Sequence, residues 1–195
     1  VLRFNRKNKQ LDGLVTPRGN LRADAYVLAA GSFSTGLARQ LGFRLPVRPA
    51  KGYSITVPVG AWTQRPRYPL VDDELHAAVV PVGDRLRVAG TAEFAGYDTT
   101  IDGTRVANLR GLLARTYPDF EASIGNADIN AWTGLRPMTH DGSPILGRSP
   151  VENLYLNTGH GPLGWTMACG SGKVVADIVC GNEPEIDLGG FGYRR

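Results

Sequence analysis

The chain has 195 residues, 42% apolar and 21% charged, which is enough apolar surface for a packed core and excludes intrinsic disorder. Twenty-two basic against eighteen acidic residues leave a net charge of +4, too small and too scattered to mark a nucleic-acid surface. The longest apolar runs, such as residues 25–30, fall far short of a bilayer span, and no secretory pattern opens the chain. It begins on Val1 in mid-pattern, without Met, which suggests a piece of a longer protein.

The first thirty residues read as β structure. A short strand is predicted over 1–6, and the turn formers Asn8, Asp12 and Gly13 place a turn over 7–13. A second strand follows over 14–16, with Arg18-Gly19-Asn20 as the next turn. Residues 23–30 are almost continuously apolar, which predicts a strand buried on both faces. It ends at Gly31-Ser32, where Ser32 or Ser34 supplies a cap for a short helix running to Leu41 and stopped by Gly42. Pro46, Pro49, Pro58, Pro66 and Pro69 then break up the chain, leaving an antiparallel strand over 53–59.

Residues 75–82, the turn Gly83-Asp84 and residues 85–91 predict a hairpin. Asp102 opens a helix with Val106, Leu109, Leu113 and Tyr117 on one face, and Pro118 ends it. Alternation resumes over 127–135, and Asp141-Gly142-Ser143-Pro144 is a turn. A strand over 153–157 leads through a glycine-rich segment into a helix over about 165–179, ended by Gly181. Cys169 and Cys180 share that helix roughly 16 Å apart at 1.5 Å per residue, too far for a disulfide, so they read as reduced thiols. The order is α/β, mostly antiparallel β, then α/β. It predicts one domain made from both chain ends with a second inserted between them.

The glycine-rich segment Gly159-His160-Gly161-Pro162-Leu163-Gly164 fits G-x-G-x-x-G between a strand and a helix. A dinucleotide fingerprint also needs a second parallel strand ending in an acid about 20 positions on, and here that stretch is helix. Read as a P-loop, it places Trp165 where a lysine must meet phosphate, and Gly170-Ser171-Gly172-Lys173 lies inside the helix. None of the three is a phosphate cradle. The glycines still admit a ligand close to the backbone, and the following helix terminus favours negative charge there. A tight packing turn is the other reading of the same residues.

Arg136, in Trp132-Thr133-Gly134-Leu135-Arg136-Pro137-Met138-Thr139, sits inside an apolar strand. Such a guanidinium serves either a structural ion pair or bidentate recognition of a carboxylate. His76, His140 and His160 show no metal-ligand spacing, so no metal is expected, and no G-x-S-x-G elbow occurs.

Four segments taken in order are specific. They are residues 23–31, Pro46-Val47-Arg48-Pro49-Ala50-Lys51-Gly52-Tyr53, the run from Gly134 to Gly147, and Asn157 through Gly172. Together they resemble the FAD-dependent amine and D-amino acid oxidoreductases, most closely the small subunit of bacterial D-amino acid dehydrogenases. That resemblance implies the C-terminal part of a two-domain α/β (α+β) enzyme. Residues 1–45 and 141–195 would belong to the FAD domain and 46–140 to the substrate domain, with the true G-x-G-x-x-G preceding this chain.

It further implies that Gly31, Gly159, His160, Gly161, Pro162, Leu163, Gly164, Trp165 and Thr166 line the cofactor. Arg136 would bind the substrate α-carboxylate, with Tyr53 and His76 as further substrate contacts. The implied reaction is hydride transfer from a D-amino acid to flavin, giving an imino acid that hydrolyses to a 2-oxo acid and ammonia. Electrons would pass to a respiratory-chain acceptor, with cytoplasmic location and peripheral association at the inner face of the plasma membrane. This chain by itself is expected to bind FAD weakly or not at all. A glycine or sarcosine type FAD oxidase, or a non-catalytic binding module keeping the fold, are the alternatives.

Overall fold

The computed structural model describes residues 1–194. Two compact units emerge: Val1–Pro49 together with the chain from Arg136 onward, and Ala50–Leu135.

The first unit opens with three antiparallel strands, β1 (Arg3–Lys7), β2 (Gln10–Thr16) and β3 (Gly19–Leu21). β4 (Tyr26–Leu28) follows, then a 3-10 turn at Gly31–Phe33 and helix α1 (Ser34–Gln40). The later part of the unit adds β10 (Ile145–Arg148), β11 (Leu154–Thr158), a 3-10 turn at Gly161–Leu163 and helix α4 (Gly164–Cys180). These build a second sheet in the order β10-β11-β4, with β11 antiparallel to β10 and parallel to β4. Strand alternation sorts its side chains between two cores. Leu154 and Leu156 join Tyr26, Leu28, Ala38, Leu41, Phe43, Leu45 and Val47 on one face. Tyr155 and Leu146 meet Val174 and Val175 of α4 on the other.

The second unit is built on a five-stranded sheet in the order β6-β7-β8-β5-β9. Its strands are β5 (Arg48–Pro58), β6 (Leu70–Asp72), β7 (Ala77–Val82), β8 (Arg85–Glu93) and β9 (Asn130–Met138). The outer ends of β5 and β9 run into the first unit. Helix α2 (Gly103–Thr116) starts where Asp102 accepts the Thr104 amide at 2.8 Å, and it buries Leu109, Leu112 and Leu113 against Tyr53, Ile55, Val79 and Val88. Pro118 ends α2 and at once begins α3 (Pro118–Ala122), because a proline is tolerated at a first helical position. Trp62 stacks on Phe120 with centroids 4.2 Å apart.

Several predicted boundaries move. β2 begins at Gln10 rather than 14, since Asn8, at φ +57, makes a two-residue turn that pairs Lys7 with Gln10. β3 begins inside the expected turn, at Gly19. Of the predicted strand over 23–30 only Tyr26–Leu28 pairs, and it lies at a sheet edge with Val27 48% exposed. Neither predicted serine caps α1. Ser34 Oγ instead accepts the Ala30 amide at 3.1 Å, closing the turn before the helix. β6 and β10 were not expected. Residue 195, the end of the predicted last segment, lies outside the described residues, as does the side chain of Ala127 at the start of the predicted alternation. Cys169 and Cys180 are free and exposed. Among the described residues no helix is long and apolar enough to cross a membrane, and no group of metal-ligating side chains gathers.

Candidate functional site

β4 and β11 are parallel neighbours, in register at Tyr26 with Leu154, Val27 with Tyr155 and Leu28 with Leu156. Their carboxyl ends therefore finish side by side, the place where open α/β sheets bind ligands. Each strand leaves through a glycine at positive φ: Gly31 at +53, and Gly159 at +81 followed by Gly161 at +54. The Thr158 hydroxyl donates to the Gly31 carbonyl at 3.1 Å and ties the two turns together.

At two of these positions only glycine fits without adjustment. A Cβ on Gly159 would stand 2.7 Å from Thr139 Cγ2, inside contact distance of a buried β-branched side chain. One on Gly161 would come within 3.3 Å of Met138 Sδ. A Cβ on Gly31 would reach Pro137 at 4.0 Å. So the end of β9, Pro137 and Met138, runs beside both glycine turns, and Arg136 precedes them by one and two residues, about 7 Å of strand from Met138.

Arg136 is half-buried, and loss of hydration draws its pKa below the ordinary arginine value. A guanidinium so placed stays charged, and each charge-assisted hydrogen bond it makes gains from the reduced hydration. His160 lies in the loop between β11 and α4. Its pKa is also lowered by burial, which favours the neutral imidazole. Its Nε2, like Asn157 Oδ1 three residues earlier, is buried without a hydrogen-bond partner among the described residues.

No side chain caps α4 at Leu163. The leading amides of the helix therefore keep their outward donors and partial positive charge. Its first turn is bare: Leu163 is 52% and Trp165 95% exposed, and Pro162 and Thr166 are exposed as well. The first unit thus brings together Gly31, Gly159 through Thr166 and the backbone of Arg136.

Tyr53 and His76 are placed differently. Tyr53 is 2% exposed in the core of the second unit, and its hydroxyl donates to Glu93 at 2.8 Å. Lys51, also buried, lies 5.3 Å from the Tyr53 ring centroid and donates to Asp98 at 3.3 Å and to the Thr100 carbonyl at 3.1 Å. The Tyr53 hydroxyl chiefly, with Asp98 and Glu93, raises the Lys51 pKa against the opposing effect of burial. His76 is exposed in the turn before β7, at φ +46.

Sequence reasoning passed over Thr139, Met138, Pro137 and Thr158, which shape this region. Three of them lie within the motif that carried Arg136, and Thr158 lies beside the glycine run. Their adjacency in sequence was the available signal.

A family model described as FAD dependent oxidoreductase matches residues 1–178. The chain belongs to that family. It is 50% identical over 184 residues to a D-amino acid dehydrogenase of Paramagnetospirillum magneticum, covering 94% of this chain and 43% of that protein. Over 195 residues it is 43% identical to a D-amino acid dehydrogenase of Vibrio atlanticus, covering 100% of this chain and 46% of the relative. The chain thus spans about half the length of the curated relatives it matches.

Among solved structures, glycine oxidase from Geobacillus kaustophilus superposes with a TM-score of 0.88 at 28% identity, covering 100% of this chain and 51% of that one. L-proline dehydrogenase from P. horikoshii shares the fold, with a TM-score of 0.84 at 19% identity over 100% of this chain and 53% of its own.

Membership implies FAD, and the residues of the first unit fit it. The glycine turns close up against the end of β9 at the carboxyl ends of β4 and β11. An uncapped helix terminus follows the same loop, and among the described residues the buried His160 Nε2 and Asn157 Oδ1 have no hydrogen-bond partner.

Proposed function

We propose that this chain is the C-terminal part of an FAD-dependent dehydrogenase that oxidises D-amino acids to 2-oxo acids and ammonia. The observation that carries the reading is the convergence of Gly31, the Gly159–Gly161 turn and the Arg136 strand at the carboxyl ends of two parallel strands. Its support from outside the structure is the 43–50% identity to D-amino acid dehydrogenases.

A bound flavin supplies the two-electron acceptor for the hydride of the substrate Cα. The chain's own residues do the positioning. Arg136 grips the α-carboxylate through its two-pronged fork, and the strand holding it keeps that fork from swinging. The amides at Gly164, Trp165 and Thr166 and the dipole of α4 favour negative charge developing beside them, without reorganising when it does. Burial disfavours the charged form of the His160 imidazole, so the helix amides and dipole rather than a cation there favour that negative charge. The imine product leaves the carboxylate clamp and is hydrolysed by water.

The Tyr53 hydroxyl already donates to Glu93, so in this reading the carboxylate falls to Arg136. The electrons pass to an acceptor other than oxygen, in keeping with the dehydrogenase name the relatives bear. The reading extends this to a respiratory-chain acceptor reached from the cytoplasmic face of the plasma membrane. The 195-residue chain alone is expected to bind FAD weakly, since the segment supplying the dinucleotide fingerprint lies outside it.

The test uses a protein of the relatives' full length carrying this chain. Under anaerobic conditions D-alanine should bleach its flavin absorbance, and L-alanine should not. Glycine turnover with stoichiometric hydrogen peroxide would replace this reading with the oxidase alternative. No reduction by any amine would leave a binding module.

A further inference from the structure

A cavity of about 550 Å³ lies in the first unit and is lined by Thr35, Arg39, Arg44, Leu45, Pro46 and Arg48. Its origin is local. The segment after α1 alternates, with Phe43, Leu45 and Val47 entering the core and Arg44, Pro46 and Arg48 facing outward. The Thr35 hydroxyl donates to the Val47 carbonyl at 3.0 Å, which pins this extended segment against α1 and brings Arg39 of the helix to the same hollow.

Several arginines elsewhere in the chain have acidic or carbonyl partners. Arg22 meets Asp12, Arg110 meets Glu121, Arg115 meets Asp72, and Arg6 caps the Leu41 carbonyl. Among the described residues, the side chains of Arg39, Arg44 and Arg48 have no hydrogen-bond or ion-pair partner, and no acidic residue lines their cavity.

Three guanidiniums around one hollow repel one another, and a multiply charged anion relieves that repulsion. A carboxylate carries one charge on two coplanar oxygens and suits a single fork. A terminal phosphoryl group carries close to two charges on three oxygens that point in different directions, so it can meet three forks at once.

We propose that the Arg39–Arg44–Arg48 cavity binds a terminal phosphoryl group, from a soluble phosphate ester or from a phospholipid headgroup. The assignment does not depend on the flavin reading, because none of its residues belongs to the glycine turns or the Arg136 strand.

The test titrates the 195-residue chain at low salt with glycerol 3-phosphate by calorimetry. In parallel it is sedimented with phosphatidylcholine vesicles with and without phosphatidic acid. Glycerol 3-phosphate binding that weakens at least tenfold in Arg44→Gln and is lost in the double variant Arg39→Gln/Arg48→Gln establishes the site with a soluble source. Binding confined to the phosphatidic acid vesicles, and lost in the same variants, establishes it with a lipid source. Arg44→Lys keeps the charge but not the fork and should recover only part of the affinity. Either no binding, or binding unchanged in the glutamine variants while their melting temperatures match the parent, overturns the proposal. Equal competition by acetate overturns the phosphoryl assignment.

Discussion

Replacing Gly159 by alanine isolates the constraint that shapes the glycine turn. Two costs add. A side chain at φ +81 pays about 1–2 kcal/mol for leaving the region L-residues prefer. The new Cβ, 2.7 Å from Thr139 Cγ2, adds an overpacking cost of about 1–3 kcal/mol. Thr139 is 7% exposed, β-branched, and held by its hydroxyl bond to the Ser143 carbonyl at 2.9 Å, so it cannot swing away. The sum is about 2–5 kcal/mol.

Gly161→Ala carries the conformational cost without the clash. Its near neighbour is the flexible thioether of Met138 at 3.3 Å, so about 1–2 kcal/mol is expected. Urea denaturation at constant m-value measures both. A double variant, Thr139→Ser with Gly159→Ala, removes the clashing methyl while keeping the hydroxyl bond. It should be more stable than the two single costs predict by at least about 1 kcal/mol. If Gly159→Ala costs no more than Gly161→Ala, or the double variant is simply additive, the packing argument fails.

In the full-length protein, Arg136→Lys should lower kcat/KM roughly a hundredfold or more, since the lost fork contributes on the order of 3 kcal/mol; an unchanged kcat/KM removes Arg136 from the substrate. Tyr53→Phe deletes a hydrogen bond to a carboxylate and should cost about 1.5–3 kcal/mol in denaturant melts. It should leave kcat/KM of the full-length enzyme within about twofold, and a larger kinetic loss would return Tyr53 to the active site. Asp98 accepts from the Thr100 hydroxyl at 2.6 Å, the Thr100 amide at 2.9 Å and Lys51 at 3.3 Å. In that order these hold its pKa down to about 2 from an ordinary 3.8. A carboxylate depressed in the folded state adds stability that is full above its unfolded pKa and fades as pH falls towards 2. Asp98→Asn should therefore flatten the acid limb of the stability curve between about pH 4 and 2; an unaltered limb refutes the assignment.

Local chemistry accounts for what was legible before any coordinates. Asp102 announced α2 because an aspartate accepting an amide two residues on needs only its own chain. Gly181 announced the end of α4, and the Gly83-Asp84 hairpin was readable because strand alternation and turn residues are short-range signals. The four ordered motifs carried the family.

Where partners lie far apart in sequence, the pattern alone was ambiguous. The apolar run over 23–30 kept only three paired residues, since pairing depends on a partner strand more than a hundred positions later. Tyr53 was expected as a substrate contact, but its hydroxyl found Glu93 forty positions on. The cluster of Arg39, Arg44 and Arg48 was likewise spread over a helix and an extended segment that Thr35 draws together.

The sequence by itself determined most element types, the family and the residues worth testing, because propensity, periodicity and motif spacing act within a few residues of chain. Only the tertiary structure decided that Gly31, Gly159 and the Arg136 strand adjoin, and that Tyr53 is spoken for. Those facts rest on contacts made when distant segments pack, and no local pattern encodes them.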